Sequence, residues 1–139
     1  MRVLLDTDVI LDLFLDRAPF AAAAATLWRA HERQQLNAYV SSITPVNLFY
    51  IARKLRDEQT ARLAVAELLA TLNVCGIDQG ILNSALSLPF HDYEDAVQHA
   101  AASAAGLEAI ITRNIEDYSA ATLPVFAPSE FVQQHLTTL

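Results

Sequence analysis

A chain of 139 residues is long enough for one domain (residues 1–139) with a proper hydrophobic core, and 53% apolar against 18% charged residues excludes a disordered chain. A formal charge of −7 argues against a broad, non-specific nucleic-acid surface, which needs an excess of Lys and Arg. No apolar run approaches the ~20 residues that cross a bilayer, no basic hydrophobic leader precedes the first strand, and the lone Cys75 can make no internal disulfide. A cytoplasmic protein with a buried, structural thiol is expected, without a membrane partner.

Strand and helix patterns alternate from the start. The short apolar run Arg2–Leu5 predicts a strand buried on both faces. Helical spacing follows over 8–15, and 19–34 reads as a longer alanine-rich helix with Arg29 and Arg33 on one face. A second strand is expected over 38–42. Thr44 followed by Pro45 reads as a helix start, a hydroxyl N-cap with proline at the first helical position. That helix runs to about residue 56, and another covers 58–72. Arg53, Lys54, Arg56 and Arg62 form a local basic stretch here, whose plain reading is a solvated helix surface. Residues 73–76 predict a third strand, followed by a helix from 78 to about 87. Pro89 breaks the chain, and 92–105 predict a helix closed by Gly106 as C-cap. Strands at 109–112 and 125–126 come next, and Pro128, Ser129 and Glu130 open a closing helix. Short apolar strands alternating with helices predict a three-layer α/β/α fold around a parallel sheet of four to five strands.

Acidic residues recur where these strands end or helices begin. Asp6 and Asp8 close the opening run Met-Arg-Val-Leu-Leu-Asp-Thr-Asp. Asp92 and Asp95 open the alanine-rich helix in His-Asp-Tyr-Glu-Asp-Ala, three apart and therefore on one helix face, which His99 extends. Asp117 follows Ala-Ile-Ile-Thr-Arg-Asn-Ile-Glu-Asp-Tyr. In an open parallel sheet, ligands bind beyond the carboxyl ends of the strands where the strand order reverses. If the first and fourth strands are neighbours, these carboxylates gather into an oxygen-rich pocket suited to a hard divalent cation. Each acid also has a plain structural role. Asp92 caps its helix while Asp95 complements the dipole, Asp8 caps the helix after the first strand, Asp117 is solvated, and His99 packs in the core. Asp6 is the hardest to dismiss, because a lone carboxylate ending a buried strand is costly unless paired or metal-bound.

Three stretches resemble motifs of the PIN-domain nucleases. Val-Leu-Leu-Asp-Thr-Asp-Val-Ile-Leu-Asp is similar to their first motif, Asp-Tyr-Glu-Asp-Ala-Val-Gln-His-Ala-Ala-Ala to their third, and Ile-Ile-Thr-Arg-Asn-Ile-Glu-Asp-Tyr to their fourth. The resemblance runs in order from Met1 to at least Phe131. It implies a metal-dependent ribonuclease, often the toxin half of a bacterial toxin–antitoxin pair, with RNA as substrate, a small antitoxin protein as partner and a homodimeric state. By the same resemblance Asp6 and Asp95 are the core ligands of Mg²⁺ or Mn²⁺ and Asp92 is an auxiliary acid. Asn114 stands where the fourth motif usually has an acid, with Asp117 three residues later as a substitute. Asn47 stands where the family places a glutamate early in the helix after the second strand. Two amides in place of carboxylates imply weaker cation binding and a shift toward Mn²⁺. Either Asp92 and Asp117 take over, or the domain has lost activity and serves as an RNA- or protein-binding module.

The implied chemistry is hydrolysis of an RNA phosphodiester, with one cation or a pair about 3.5–4 Å apart. Thr7 or Thr112 would hydrogen-bond a metal water, and Arg113 would hold a flanking phosphate or else form a surface salt bridge. Two other acid-rich α/β classes fit less well. A haloacid-dehalogenase-type phosphatase needs a downstream lysine at the phosphate, and the chain's only lysine, Lys54, falls mid-helix. A response-regulator receiver needs an acceptor Asp after the third strand and a lysine after the fifth.

Overall fold

The computed structural model describes residues 1–136. Among them the strands are β1 (Arg2–Leu5), β2 (Asn37–Ser41), β3 (Asn73–Cys75), β4 (Ala109–Ile111) and β5 (Val125–Phe126). The helices are α1 (Thr7–Phe14), α2 (Ala21–Glu32), α3 (Ile43–Leu55), α4 (Glu58–Thr71), α5 (Gln79–Leu86), α6 (Tyr93–Ala104) and α7 (Pro128–His135). The strands form one wholly parallel sheet in the order β3-β2-β1-β4-β5. The chain winds outward from β1 to β2 and β3, then returns across the sheet to lay β4 on the other side of β1. Strand order therefore reverses between β1 and β4, the crevice anticipated above.

Side-chain alternation explains the three layers. Val3 and Leu5 of β1, with Ala38, Val40 and Ile111, pack into one core with α1, α2, Leu48, Leu68 and Phe131. Leu4 and Ile110 point the other way, against Ala101, Ala102 and Tyr118. Both faces of β1 are covered, and Val3, Leu4 and Leu5 are at most 1% exposed. Full burial of such side chains stabilises by roughly 1.5–3 kcal/mol each, so β1 is an anchored frame for whatever follows it.

Several ends differ from the sequence expectation. Helix α3 begins at Ile43, with Ser42 before it in helical geometry and no side-chain cap, so Thr44 is not the N-cap. The Thr44 hydroxyl is committed elsewhere: it is buried and meets the Thr7 hydroxyl at 2.9 Å. Lys54 lies in the last turn of α3 rather than mid-helix, and Arg33 is the C-cap of α2. Helix α6 closes at Gly106 as expected, although Ala105 is the C-cap and Gly106 the left-handed residue just after it. Gly106 adopts φ +73°, and the N–H of Leu107 reaches back to the Ala102 carbonyl at 3.0 Å. A short 3-10 turn over Ile115–Tyr118 was not expected. Cys75 is buried, and burial pushes its thiol up to about 11. No helix of the described residues is long and apolar enough to cross a membrane.

Candidate metal centre

Leu5 runs straight into Asp6 at the carboxyl end of β1, and Asp6 becomes the N-cap of α1, its side chain accepting from the Thr7 N–H at 2.7 Å. The expectation that Asp8 caps this helix is therefore corrected. Asp8 sits inside the first turn and turns toward the end of β4 instead. Strand pairing fixes that neighbour, since Leu5 lies opposite Ile111 and the Asp6 N–H donates to the Ile111 carbonyl at 2.9 Å. The next residue, Thr112, donates its hydroxyl to Asp6 Oδ2 at 2.8 Å.

Asp6 is only 6% exposed and nearly encased. Besides Thr7 and Thr112, it accepts from Gln98 Nε2 at 2.6 Å. Burial outweighs these donors and raises the Asp6 carboxyl above its ordinary range. Gln98 is itself fully buried in α6, and its carbonyl accepts from the Ser41 hydroxyl at 2.8 Å. One amide thus ties the ends of β1 and β2 to the middle of α6. Sequence reading missed Gln98. Its position three residues after Asp95, on the same helix face, was the available signal.

Asp8 is less encased. Its Oδ2 accepts from Asn114 Nδ2 at 2.9 Å and from the Arg113 N–H at 3.3 Å, whereas its Oδ1 is buried with no hydrogen-bond partner. Burial first, and the Asp6 charge second, push its carboxyl up to about 7, against the opposing pull of Arg113. Asp95, half-buried in the first turn of α6, is likewise pushed up to about 7, by burial and then by the charges of Asp6, Asp92 and Asp117. Those causes put Asp6, Asp92 and Asp117 each within electrostatic reach of Asp95. Asp92 is exposed and caps α6, accepting from the Asp95 N–H at 3.1 Å. Asp117 is exposed too, brought round by the 3-10 turn whose Asp117 N–H bonds the Asn114 carbonyl.

Tyr118, in the same turn, buries its ring and sets its hydroxyl beside Gln98 at 3.5 Å. Burial, then Asp6 and Asp95, hold that phenol well above its usual range, so it stays protonated as a donor among carboxylates. Sequence reading missed it as well. Asn47 donates its Nδ2 to Glu94 Oε1 at 2.9 Å, in the same first turn of α6 as Asp95. Arg113 pairs its Nε with Asp12 Oδ2 at 2.8 Å, and Asp12 also takes Arg17 at 3.0 Å. Asp12 is 1% exposed, so this is a buried ion pair rather than the expected surface one. His99 is a core residue: buried, tilted against Phe90 and accepting from the Thr122 N–H at 3.0 Å.

The donor set is entirely oxygen, which fits a hard ion such as Mg²⁺ or Mn²⁺. The Asp8 Oδ1 is buried without a partner, and Asp95 is raised by burial first and by neighbouring carboxylates second, a setting that a bound cation would relieve. Among the described residues no three Asp, Glu, His or Cys side chains converge tightly enough to complete a ligand set alone. Mg²⁺ keeps several waters and often takes only one or two carboxylates, so a sparse set suffices.

The chain matches the family model described as PIN domain over residues 2–116. No curated protein matches it. Among solved structures, it is 30% identical to a chain of a toxin–antitoxin complex from Klebsiella pneumoniae, covering 91% of this chain and 97% of that one at a TM-score of 0.67. DNA-bound VapBC from Salmonella typhimurium is 17% identical, with 92% and 98% covered and a TM-score of 0.71. VapC20 of Mycobacterium tuberculosis, a sarcin-ricin loop cleaving toxin, is 15% identical, with 78% and 86% covered and a TM-score of 0.63. At those two identities the likeness concerns the fold alone. The family match runs from β1 past the end of β4, taking in both strand ends that carry the acids, and so this chain belongs to the PIN-domain family.

Proposed function

We propose that this protein is a divalent-cation-dependent endoribonuclease, the toxin half of a bacterial toxin–antitoxin pair. The observation that carries the reading is the gathering of carboxylates at the switch point, where Asp6, Asp92 and Asp117 act on Asp95, Asp6 acts on Asp8, and the Asp8 Oδ1 is buried without a partner. Mg²⁺ or Mn²⁺ would be held by Asp6 and Asp95, with Asp92 or Asp117 as the third acid. When bound, the ion would polarise the scissile phosphate and ease deprotonation of the attacking water.

The chain's own residues then have separable tasks. Thr112 and Gln98 fix the orientation of Asp6. Asn114 fixes Asp8 through its Nδ2. Tyr118 retains its proton and can donate it as a hydrogen bond to Asp6 or Asp95, which steadies the carboxylates. The Klebsiella pneumoniae relative belongs to a toxin–antitoxin complex, which supports a small antitoxin partner here. The cleaving toxin of Mycobacterium tuberculosis supports a cleaving role on the same fold. A homodimer acting in the cytoplasm completes the proposal.

A second reading has its own observation. Asn47 and Asn114 replace carboxylates and are engaged by Glu94 and Asp8 as donors, as in a module that binds RNA or protein without cutting. Incubation of the purified protein with a pool of structured and single-stranded RNAs decides between them, with Mn²⁺ or Mg²⁺, with EDTA, and with Asp6→Asn and Asp95→Asn. The nuclease reading expects cleavage that EDTA and either substitution abolish. Cleavage that survives them removes it, and RNA binding without cleavage in either metal selects the non-cutting module.

A further inference from the structure

Arg113 is a wall between two spaces. On one side a cavity of about 340 Å³ opens among Arg113, Asn114, Glu116 and Asp117, the acidic side. On the other a cavity of about 330 Å³ is lined chiefly by Pro19, Phe20, Ala23, Arg113, Pro128 and Ser129. The second cavity has no part in the metal centre, yet its wall is attached to it: the Arg113 N–H donates to Asp8 Oδ2.

The pair at its mouth is unusual for a solvated loop. The Arg113 guanidinium lies 4.0 Å from the centroid of the Phe20 ring, well within the ~6 Å over which a cation is held by an aromatic face. Asp12 Oδ2 lies 2.8 Å from Nε, an ion pair without hydrogen-bond geometry that holds the charged head at this rim. Among the described residues no acceptor takes the two terminal nitrogens of Arg113. Phe20 is 41% exposed, more than core packing accounts for. Arg17 and Arg113 share the buried carboxylate of Asp12, two cations on one anion, with Asp8 the further carboxylate within reach of Arg113. The result is a flat, apolar slot with a fixed cation at its rim, one residue from the carboxylates.

We propose that this cavity is a subsite for one RNA base adjoining the scissile phosphate. The proposal rests on the ribonuclease reading and deepens it. The base enters between Pro19, Ala23 and Pro128 and stacks on the Phe20–Arg113 pair. Its own phosphate meets the terminal N–H groups of Arg113, which suit two phosphate oxygens at once. Aromatic rings and guanidinium planes both serve as platforms for unstacked bases. Every base has a π-face, so the slot selects for an unpaired nucleotide more than for its identity. The Ser129 hydroxyl, the sole hydroxyl among the lining residues, is the group placed to read a base edge.

The test measures binding and cleavage separately. A fluorescent single-stranded oligoribonucleotide is titrated in Ca²⁺, with its integrity checked on a gel, against wild type, Phe20→Ala and Phe20→Leu. The same set is repeated with one abasic residue walked along the strand. Cleavage by wild type is followed in Mn²⁺. Phe20→Ala is expected to weaken binding roughly 5- to 150-fold, the range for losing one stacked base. Phe20→Leu keeps an apolar wall and is expected to fall short of wild type, which shows that the ring matters. One abasic position should weaken wild type by a similar factor and Phe20→Ala no further. Unchanged RNA binding in both variants overturns the subsite, as does an abasic loss that adds to the Phe20→Ala loss. If wild type cleaves in Mn²⁺ while those effects are absent, the subsite alone is wrong. If wild type cleaves nothing yet its binding depends on Phe20 and one base, the subsite stands and the nuclease reading falls.

Discussion

Replacing Gln98 by Leu should unsettle the protein more than any other change that nearly conserves volume. The substitution opens little space, so the cavity contribution is small, and what remains is polar. Asp6 loses a 2.6 Å donor while it stays buried, and hydrogen bonds to charged groups are worth about 1.5–3 kcal/mol. The Ser41 hydroxyl, fully buried, loses its 2.8 Å acceptor, at a cost of about 1–3 kcal/mol. Together these predict a loss of about 2.5–6 kcal/mol, a large part of the roughly 5–15 kcal/mol that holds a domain folded. At roughly 4 °C per kcal/mol for a chain of this size, the melting temperature should fall by about 10–24 °C. Urea denaturation gives the free energy directly, and an unchanged m-value would show that the native state and not the denatured one was altered. Gln98→Glu should be worse still above neutral pH, since it sets a second carboxylate against Asp6. A Gln98→Leu protein that melts within about 4 °C of wild type would refute the reasoning, because the amide would then hold nothing together.

In EDTA the protein should lose stability between about pH 4 and pH 7. Asp8 and Asp95 are raised from 3.8 to about 7 in the folded state, so the folded chain binds more protons than the unfolded one in that window. Their contribution is therefore greatest at low pH and is lost as pH rises through 7; added Mn²⁺ should raise the melting temperature more at pH 8 than at pH 5, and a metal-free melting temperature that climbs from pH 5 to pH 8 contradicts this. Asp12→Ala leaves Arg113 short of its partner and should cost about 3 kcal/mol in urea, the low end for breaking a buried pair, because Arg113 keeps 28% of its side chain in water. Asn114→Asp puts a charge where an amide now donates to Asp8 at 2.9 Å. Calorimetry should show tighter Mg²⁺ binding by this variant, and thermal melting in EDTA should show a less stable protein; equal Mg²⁺ affinity would mean Asn114 lies outside the ion's reach.

What could be read from the chain was what repeats. Apolar runs such as Val3-Leu4-Leu5 and Ala109-Ile110-Ile111 announce strands covered on both faces, and the turn chemistry of Gly106 announces the end of α6. The order of the strands was not legible: the first strand beside the fourth was only a condition for the acids to gather, and the fold meets it with the order β3-β2-β1-β4-β5. Side-chain commitments were not legible. Nothing local tells whether Thr44 caps its own helix or bonds Thr7 across the sheet edge, a choice made by tertiary packing. The same holds for Asp8, whose place inside the first turn depends on Asp6 having taken the cap. Gln98 and Tyr118 look like ordinary helix and turn residues until the fold brings them against Asp6. Asn47 and Asn114 were legible as departures from a pattern, but their donation to Glu94 and Asp8 was visible only in three dimensions.

Asp6 begins α1 and also faces the crevice, so most replacements disturb both at once, Asn being one that keeps an oxygen for the cap. Asp117 stands in water and supports little of the architecture, whereas Asp92, equally exposed, caps α6. Drift along this edge should therefore be freest at Asp117 and slowest at Asp6, whose loss also strands Gln98 and Thr112.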